Sequence, residues 1–151
     1  MTLPPNPRLA EPGAFSRYTR KDMSLPTLQG KRVLVIEDTV QNMRLFRAIL
    51  QMEGAEVLEA EGAPAGIALA EREQPDLIIM DIQMAGMDGL TATRLLRSKD
   101  ITRDIPVVAV TASVMDMDRD KTFEAGCDGF ISKPIDPDIF GDQIAAFLRS
   151  S

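Results

Sequence analysis

From Lys31 onward, short solid apolar runs alternate with longer stretches in which apolar residues recur at helical spacing. Arg32–Ile36 reads as a first strand. Val40–Met52 follows as a helix, with Met43, Phe46, Ile49 and Leu50 spaced to share one face. Gly54 ends that helix, and Glu56–Glu59 is a short second strand. Pro64 is tolerated in a first helical turn, so it opens a second helix that runs to Glu73. Asp76–Met80 is a third strand, solidly apolar as a central parallel strand must be, and Asp88–Arg97 is the next helix. Pro106–Val110 is a fourth strand, Asp116–Ala125 a helix stopped by Gly126, and Gly129–Ser132 a fifth strand. Asp136 and Pro137 form a cap-then-proline start for a last helix carrying Phe140, Ile144, Phe147 and Leu148 on one face. Five such strand–helix units imply an α/β fold, a parallel sheet with helices on both faces. In sheets of this kind reactive groups gather beyond the carboxyl ends of the strands, so those positions are the ones to inspect.

The first 28 residues break this rhythm. They hold five of the chain's ten prolines and no sustained periodicity, which reads as a flexible tail over residues 1–30 ahead of a folded body over 31–149. Phe15 and Tyr18 beside Arg17, Arg20 and Lys21 are a candidate docking patch, set against the plainer reading of a solvated arm. Met23 is a second candidate translation start. The charge also divides here. Residues 1–30 carry four basic and two acidic groups, while the remainder carries 13 basic against 21 acidic, a net of −8. A body this acidic repels phosphate backbones, so no nucleic-acid partner is expected.

At 151 residues the chain has room for one domain that buries about 70% of its unfolded surface. No apolar run is long enough to insert in a membrane, and the amino terminus lacks the apolar core of a secretory signal. Cys127 is the single cysteine, which fits a reducing cytoplasm. There is no histidine, so serine or cysteine chemistry relying on that base is excluded, as is histidine as a phosphoryl donor.

The strand ends carry a short list. Glu37 and Asp38 follow the first strand, Asp81 the third, Thr111 the fourth, and Lys133 with Pro134 the fifth. Such residues taken singly merely solvate loops. Together they place three carboxylates, a hydroxyl and an ammonium at one cleft. Two carboxylates about 4 Å apart repel by about 4 kcal/mol at an effective dielectric near 20, so three stay ionised only around a cation. Hard oxygen donors in an open site favour magnesium over zinc. Lys133 adds a second positive charge, and the set suits phosphoryl transfer to a carboxylate, with Asp81 on the central strand the natural acceptor.

The runs Val33-Leu34-Val35-Ile36-Glu37-Asp38, Pro75 through Met84, Val110-Thr111-Ala112 and Ser132-Lys133-Pro134 resemble the receiver domain of bacterial two-component response regulators over about residues 31–149. The resemblance implies a flavodoxin-like three-layer α/β/α fold with a five-stranded parallel sheet in the order 2-1-3-4-5. It implies an aspartyl phosphate on Asp81, and Mg2+ held by Asp38, Asp81, the Gln83 carbonyl and, mainly through water, Glu37. Thr111 and Lys133 would bind the phosphoryl oxygens, the Lys133–Pro134 peptide would be cis, and Phe130 would be a switch aromatic on a surface made by the fourth helix, fifth strand and fifth helix. The implied partners are a histidine kinase or histidine phosphotransfer protein as donor and a downstream effector protein, since no output domain follows the last helix. The chain is then a switch and not a turnover enzyme. Asn42 through Phe46 and Pro106 through Ala112 are most similar to the cell-division type.

Two departures stand out: Glu37 takes a position that is usually aspartate, and Ala85 one that is usually proline. The main alternative is a non-phosphorylated pseudo-receiver acting as a protein-interaction module. A haloacid-dehalogenase-like phosphatase would need an aspartate where Gln83 stands, and nucleotide binding would need a glycine-rich loop after the first strand. Cys127 reads as a small buried residue, the nine methionines as packing, and Asp116, Asp118 and Asp120 as a solvated helix start.

Overall fold

The computed structural model describes residues 28–84, 86–112 and 119–150. Along the chain run β1 (Arg32–Ile36), α1 (Val40–Met52), β2 (Glu56–Ala60), α2 (Ala63–Glu73), β3 (Leu77–Asp81), α3 (Gly89–Arg97), β4 (Val107–Thr111), α4 (Arg119–Ala125), β5 (Gly129–Ser132) and α5 (Phe140–Ser150). The strands form one parallel sheet in the order β2-β1-β3-β4-β5, the doubly wound arrangement expected of the chain.

Strand alternation divides the core. Val33, Val35, Leu77, Ile79, Val108 and Val110 face α1 and α5, while Leu34, Ile36, Ile78, Met80, Val107 and Ala109 face α2 and α3. The α1 residues that the spacing singled out, Met43, Phe46, Ile49 and Leu50, are all buried. Phe46 meets Phe140 of α5 with ring centroids 5.5 Å apart, which ties the two helices together beneath the sheet. Gly66 of α2 lies against Ile36, where a Cβ would sit 2.3 Å from Cδ1, so the helix packs directly on β1.

Several boundaries differ from the sequence reading, for local reasons. Pro106 has no N–H to donate, so β4 starts at Val107 and ends on Thr111. The Ile82 N–H reaches Val110 O at 3.1 Å, which carries the ladder past Met80 and makes Asp81 the last residue of β3. Asp88 stands outside α3 as its cap, accepting from the Thr91 N–H at 2.8 Å. The last helix is regular only from Phe140, because Asp136 first closes a turn by accepting from the Asp138 N–H at 2.9 Å. The folded body also reaches back past Lys31. Leu28 is fully buried in the α1/α5 core and donates its N–H to Glu53 O at 2.9 Å. The expected docking patch at Phe15 and Tyr18, and Asp116 and Asp118, lie outside the described residues. Among the described residues no helix is long and apolar enough to cross a membrane.

Candidate functional site

The parallel register brings the carboxyl ends of β1, β3, β4 and β5 to one edge of the sheet. Glu37 continues β1 and donates its N–H to Ala60 O at 3.0 Å, so its position is locked by the neighbouring strand. Its carboxylate is buried and accepts from the Thr39 N–H at 3.1 Å. Asp38 is the exposed member of the pair. Asp81 is buried at the end of β3, and its Oδ1 accepts from the Gln83 N–H at 3.0 Å. One carboxylate oxygen from each of Glu37, Asp38 and Asp81 lies within 4.8 Å of the others.

Lys133 completes the cluster from β5. Its Nζ is 3.2 Å from Glu37 Oε1 and 3.4 Å from Asp81 Oδ2. The Lys133 N–H donates to Thr111 O at 2.7 Å, and the following Lys133–Pro134 peptide is cis. Thr111 is buried on the adjoining strand, one step along from Val110, the residue paired with Asp81. The structure therefore brings Glu37, Asp38, Asp81 and Lys133 into direct proximity and sets Thr111 beside them. Gln83 contributes a backbone N–H to Asp81, and its side chain is exposed.

The electrostatics follow from burial. Asp81 is pushed up to about 6, first by loss of solvent and next by the Glu37 carboxylate, against the opposing pull of the Gln83 N–H and Lys133. The Lys133 ammonium reaches two of the three carboxylates, Glu37 and Asp81. The donors are all oxygen, and Asp38 leaves one side open to solvent, a set that fits a hard, hydrated divalent cation. Chemically, the cleft presents a buried carboxylate beside a fixed cation, with buried Thr111 at the end of the adjoining strand. These are the components needed to accept an electrophile that carries negative charge.

Phe130 lies apart from this cluster. It pairs in register with Ala109 and is half-buried, with the Arg119 guanidinium carbon 4.9 Å from its ring centroid. Phe130 also lines a surface pocket of about 520 Å³ with Ile131, Ser132, Pro134 and residues of the β5–α5 connection and α5. A larger depression of about 610 Å³, lined by Pro64, Ile67, Lys99 and Ile101 among others, shares no residue with the acidic cleft.

Sequence reasoning missed Gly89. A Cβ there would sit 2.8 Å from Asp81 O and 2.9 Å from Ile82 Cα, so α3 begins directly against the backbone of the site. The Asp88-Gly89 dipeptide was the available signal, a glycine where a chain turns close to another backbone. Cys127 is buried as the sequence reading has it, and the fold brings Arg97 near it. Burial nonetheless dominates and pushes the Cys127 thiol up, which keeps it an inert core residue.

Comparison with known proteins agrees with this fold. The family described as the response regulator receiver domain matches residues 33–145. The polar-differentiation response regulator DivK of Brucella anthropi is 39% identical over 118 residues, which cover 78% of this chain and 96% of that protein. Its Brucella ovis counterpart is 38% identical over the same length. Among solved structures, the receiver domain of a Pseudomonas aeruginosa sensor histidine kinase, described with magnesium coordinated in its active-site cleft, has a TM-score of 0.74 at 28% identity. That likeness covers 80% of this chain and 98% of the other. The chemotaxis protein CheY4 of Vibrio cholerae shares the fold with a TM-score of 0.74 at 22% identity, covering 78% of this chain and 98% of that one.

Proposed function

The chain belongs to the response regulator receiver domain family, and from that premise we propose that it is a magnesium-dependent phosphoryl acceptor on Asp81 that switches a partner-binding surface. The observation that carries the reading is the placement of Lys133 within 3.2 Å of Glu37 and 3.4 Å of Asp81, at the mouth of a three-carboxylate cluster. A buried carboxyl shifted by desolvation and by a neighbouring carboxylate, beside a fixed ammonium in a cleft, is characteristic of a functional site.

In this reading residues 31–149 are the receiver unit, acting in the cytoplasm. Glu37, Asp38, Asp81 and the Gln83 carbonyl would hold Mg2+, which would supply positive charge to the transferred group. The donor is a histidine kinase or histidine phosphotransfer protein, since this chain has no histidine of its own. A carboxylate oxygen of Asp81 forms a bond to phosphorus as the donor's P–N bond breaks, and the leaving imidazole takes a proton from solvent. Lys133 and the Thr111 hydroxyl then pair with phosphoryl oxygens.

The consequence is conformational. Thr111 and Lys133 move toward the new charge, Phe130 changes its packing, and the α4-β5-α5 surface with its pocket is remodelled for an effector protein. Moving a two-state balance from 1:99 to 99:1 takes about 5.5 kcal/mol, within reach of several charge-assisted hydrogen bonds in a partly buried cleft. The likeness to DivK, a polar-differentiation response regulator, supports a regulator of this kind.

Intact mass after incubation with acetyl phosphate and magnesium tests the proposal. The wild type is expected to gain one phosphoryl group and Asp81→Asn none. No gain in the wild type, from acetyl phosphate or from a histidine kinase, would move the reading to an unphosphorylated interaction module.

A further inference from the structure

Helix α4 is attached to the body in two different ways. Its carboxyl end is fixed by backbone, because the Arg97 guanidinium donates to Gly126 O at 2.8 and 3.0 Å. Within the helix itself only Thr122 and Ala125 are buried. Two of its other side chains meet one ring on β5. Arg119 and Phe123, one helical turn apart, both reach the Phe130 ring. The Arg119 guanidinium carbon lies 4.9 Å from the ring centroid, and the Phe123 ring stands edge-on at 6.1 Å and 60°. Planar guanidinium over an aromatic face and an edge-to-face pair are both attractive, and both depend on where the ring sits.

Phe130 sits beside small residues on β4. Its register partner is Ala109, and in a parallel sheet Ala109 and Thr111 share a face with it, so its inner neighbours on β4 are small. The ring nevertheless lies at the surface, half-buried and lining the β5–α5 pocket.

We propose that Arg119 and Phe123 form a latch that holds the Phe130 ring in its surface position and so sets the resting balance of the switch. The inference rests on the reading of Phe130 as the switch aromatic. With the ring clasped, the first turn of α4 is pinned and the inactive arrangement is favoured. When the ring swings inward both contacts break together, and the first turn of α4 is released while its carboxyl end stays anchored at Gly126. Arg119 acts here as a positioning residue, through the Phe130 ring.

The test uses the full chain labelled with 4-fluorophenylalanine, the Phe130 resonance being assigned by its loss in Phe130→Leu. Arg119→Gln and Phe123→Ala are each expected to move that resonance toward the inward environment. Each should also speed phosphoryl uptake from acetyl phosphate about two- to fivefold, the size of a partly exposed cation–π or edge-to-face contact. The direction is diagnostic, because loss of a positive charge alone would slow encounter with an anionic donor. Arg119→Lys should fall between, and in the Phe130→Leu background Arg119→Gln should give no acceleration. Wild-type resonance and wild-type uptake in both single variants would overturn the latch while leaving Asp81 phosphorylation intact. If the wild type takes up no phosphoryl group, the functional reading fails on its own. The fluorine spectra then still decide the latch, since an unmoved Phe130 resonance rejects it.

Discussion

The Lys133 ammonium lies 3.2 Å from Glu37 Oε1 and 3.4 Å from Asp81 Oδ2, so a single cation bridges the first and third strands. Lys133→Ala removes a positive side chain that pulls Asp81 down. The Asp81 carboxyl is then expected to titrate above its present value of about 6, visible in its carbon NMR shift. Phosphoryl uptake should fall by about 100-fold or more, the scale of removing one electrostatic stabiliser from a partly buried site. An unchanged titration would mean that solvent, and not Lys133, sets the local field.

Asp81 itself costs the fold stability. Its carboxyl is neutral in both folded and unfolded chains below about 3.8, ionises first in the unfolded chain between there and about 6, and carries its full penalty above. Asp81→Asn should therefore be more stable than the wild type at pH 8 in EDTA. We expect about 1–2 kcal/mol, allowing for the solvent that reaches the cleft. Urea unfolding at pH 8 and at pH 3.5 checks the sign, because the difference should shrink toward zero in acid.

Magnesium should act in the opposite sense. In the wild type, stability is expected to rise by about 1.4 kcal/mol for each tenfold increase of Mg2+ above its dissociation constant. Asp38→Ala should lose most of that rise, although Asp38 is exposed and contributes little to packing. Thermal melts against MgCl2, with NaCl at matched ionic strength as the control, separate binding from screening.

Gly89→Ala would place a Cβ 2.8 Å from Asp81 O, where the near neighbours include backbone and have little freedom to move. A loss of about 1–3 kcal/mol is expected. Phosphoryl uptake should fall as well, because the atoms displaced belong to the acceptor residue. A variant with wild-type melting and uptake would show that α3 can back away from β3 at no cost.

Arg97 makes a separate, structural prediction. Its guanidinium donates to Arg103 O, Ile105 O and Gly126 O and pairs with Asp128 at 2.9 Å, and Asp128 in turn accepts from the Val107 N–H at 2.8 Å. Arg97→Met leaves these carbonyls without their donor and should cost about 2–4 kcal/mol, lowering Tm by several degrees. Uptake at Asp81, measured well below the new Tm, should stay near wild type.

Much of this molecule was legible in its pattern. The solid runs at Leu34, Ile78 and Val108 announced central parallel strands, because only a strand covered on both faces tolerates unbroken apolar side chains. The spacing of Met43, Phe46, Ile49 and Leu50 gave the buried face of α1 residue by residue. Glu37, Asp38, Asp81 and Lys133 were identifiable because parallel βα topology obliges the residues after each strand to meet at one edge, however far apart they lie in the chain.

Other features had no local signature. That Leu28 belongs to the core depends on Glu53 O standing where it can accept the Leu28 N–H, a contact across 25 positions. The rise of Asp81 to about 6 comes from burial and from Glu37, and neither exists until the sheet has closed. The approach of Gly89 to Asp81, the Arg97 clamp and the placement of Arg119 over Phe130 are likewise products of packing. Periodicity and strand-end chemistry are written along one dimension, so the sequence by itself determined the fold class and the membership of the cleft. Desolvation, close approach and ring contacts depend on distances between segments remote in the chain, and only the tertiary structure decided those.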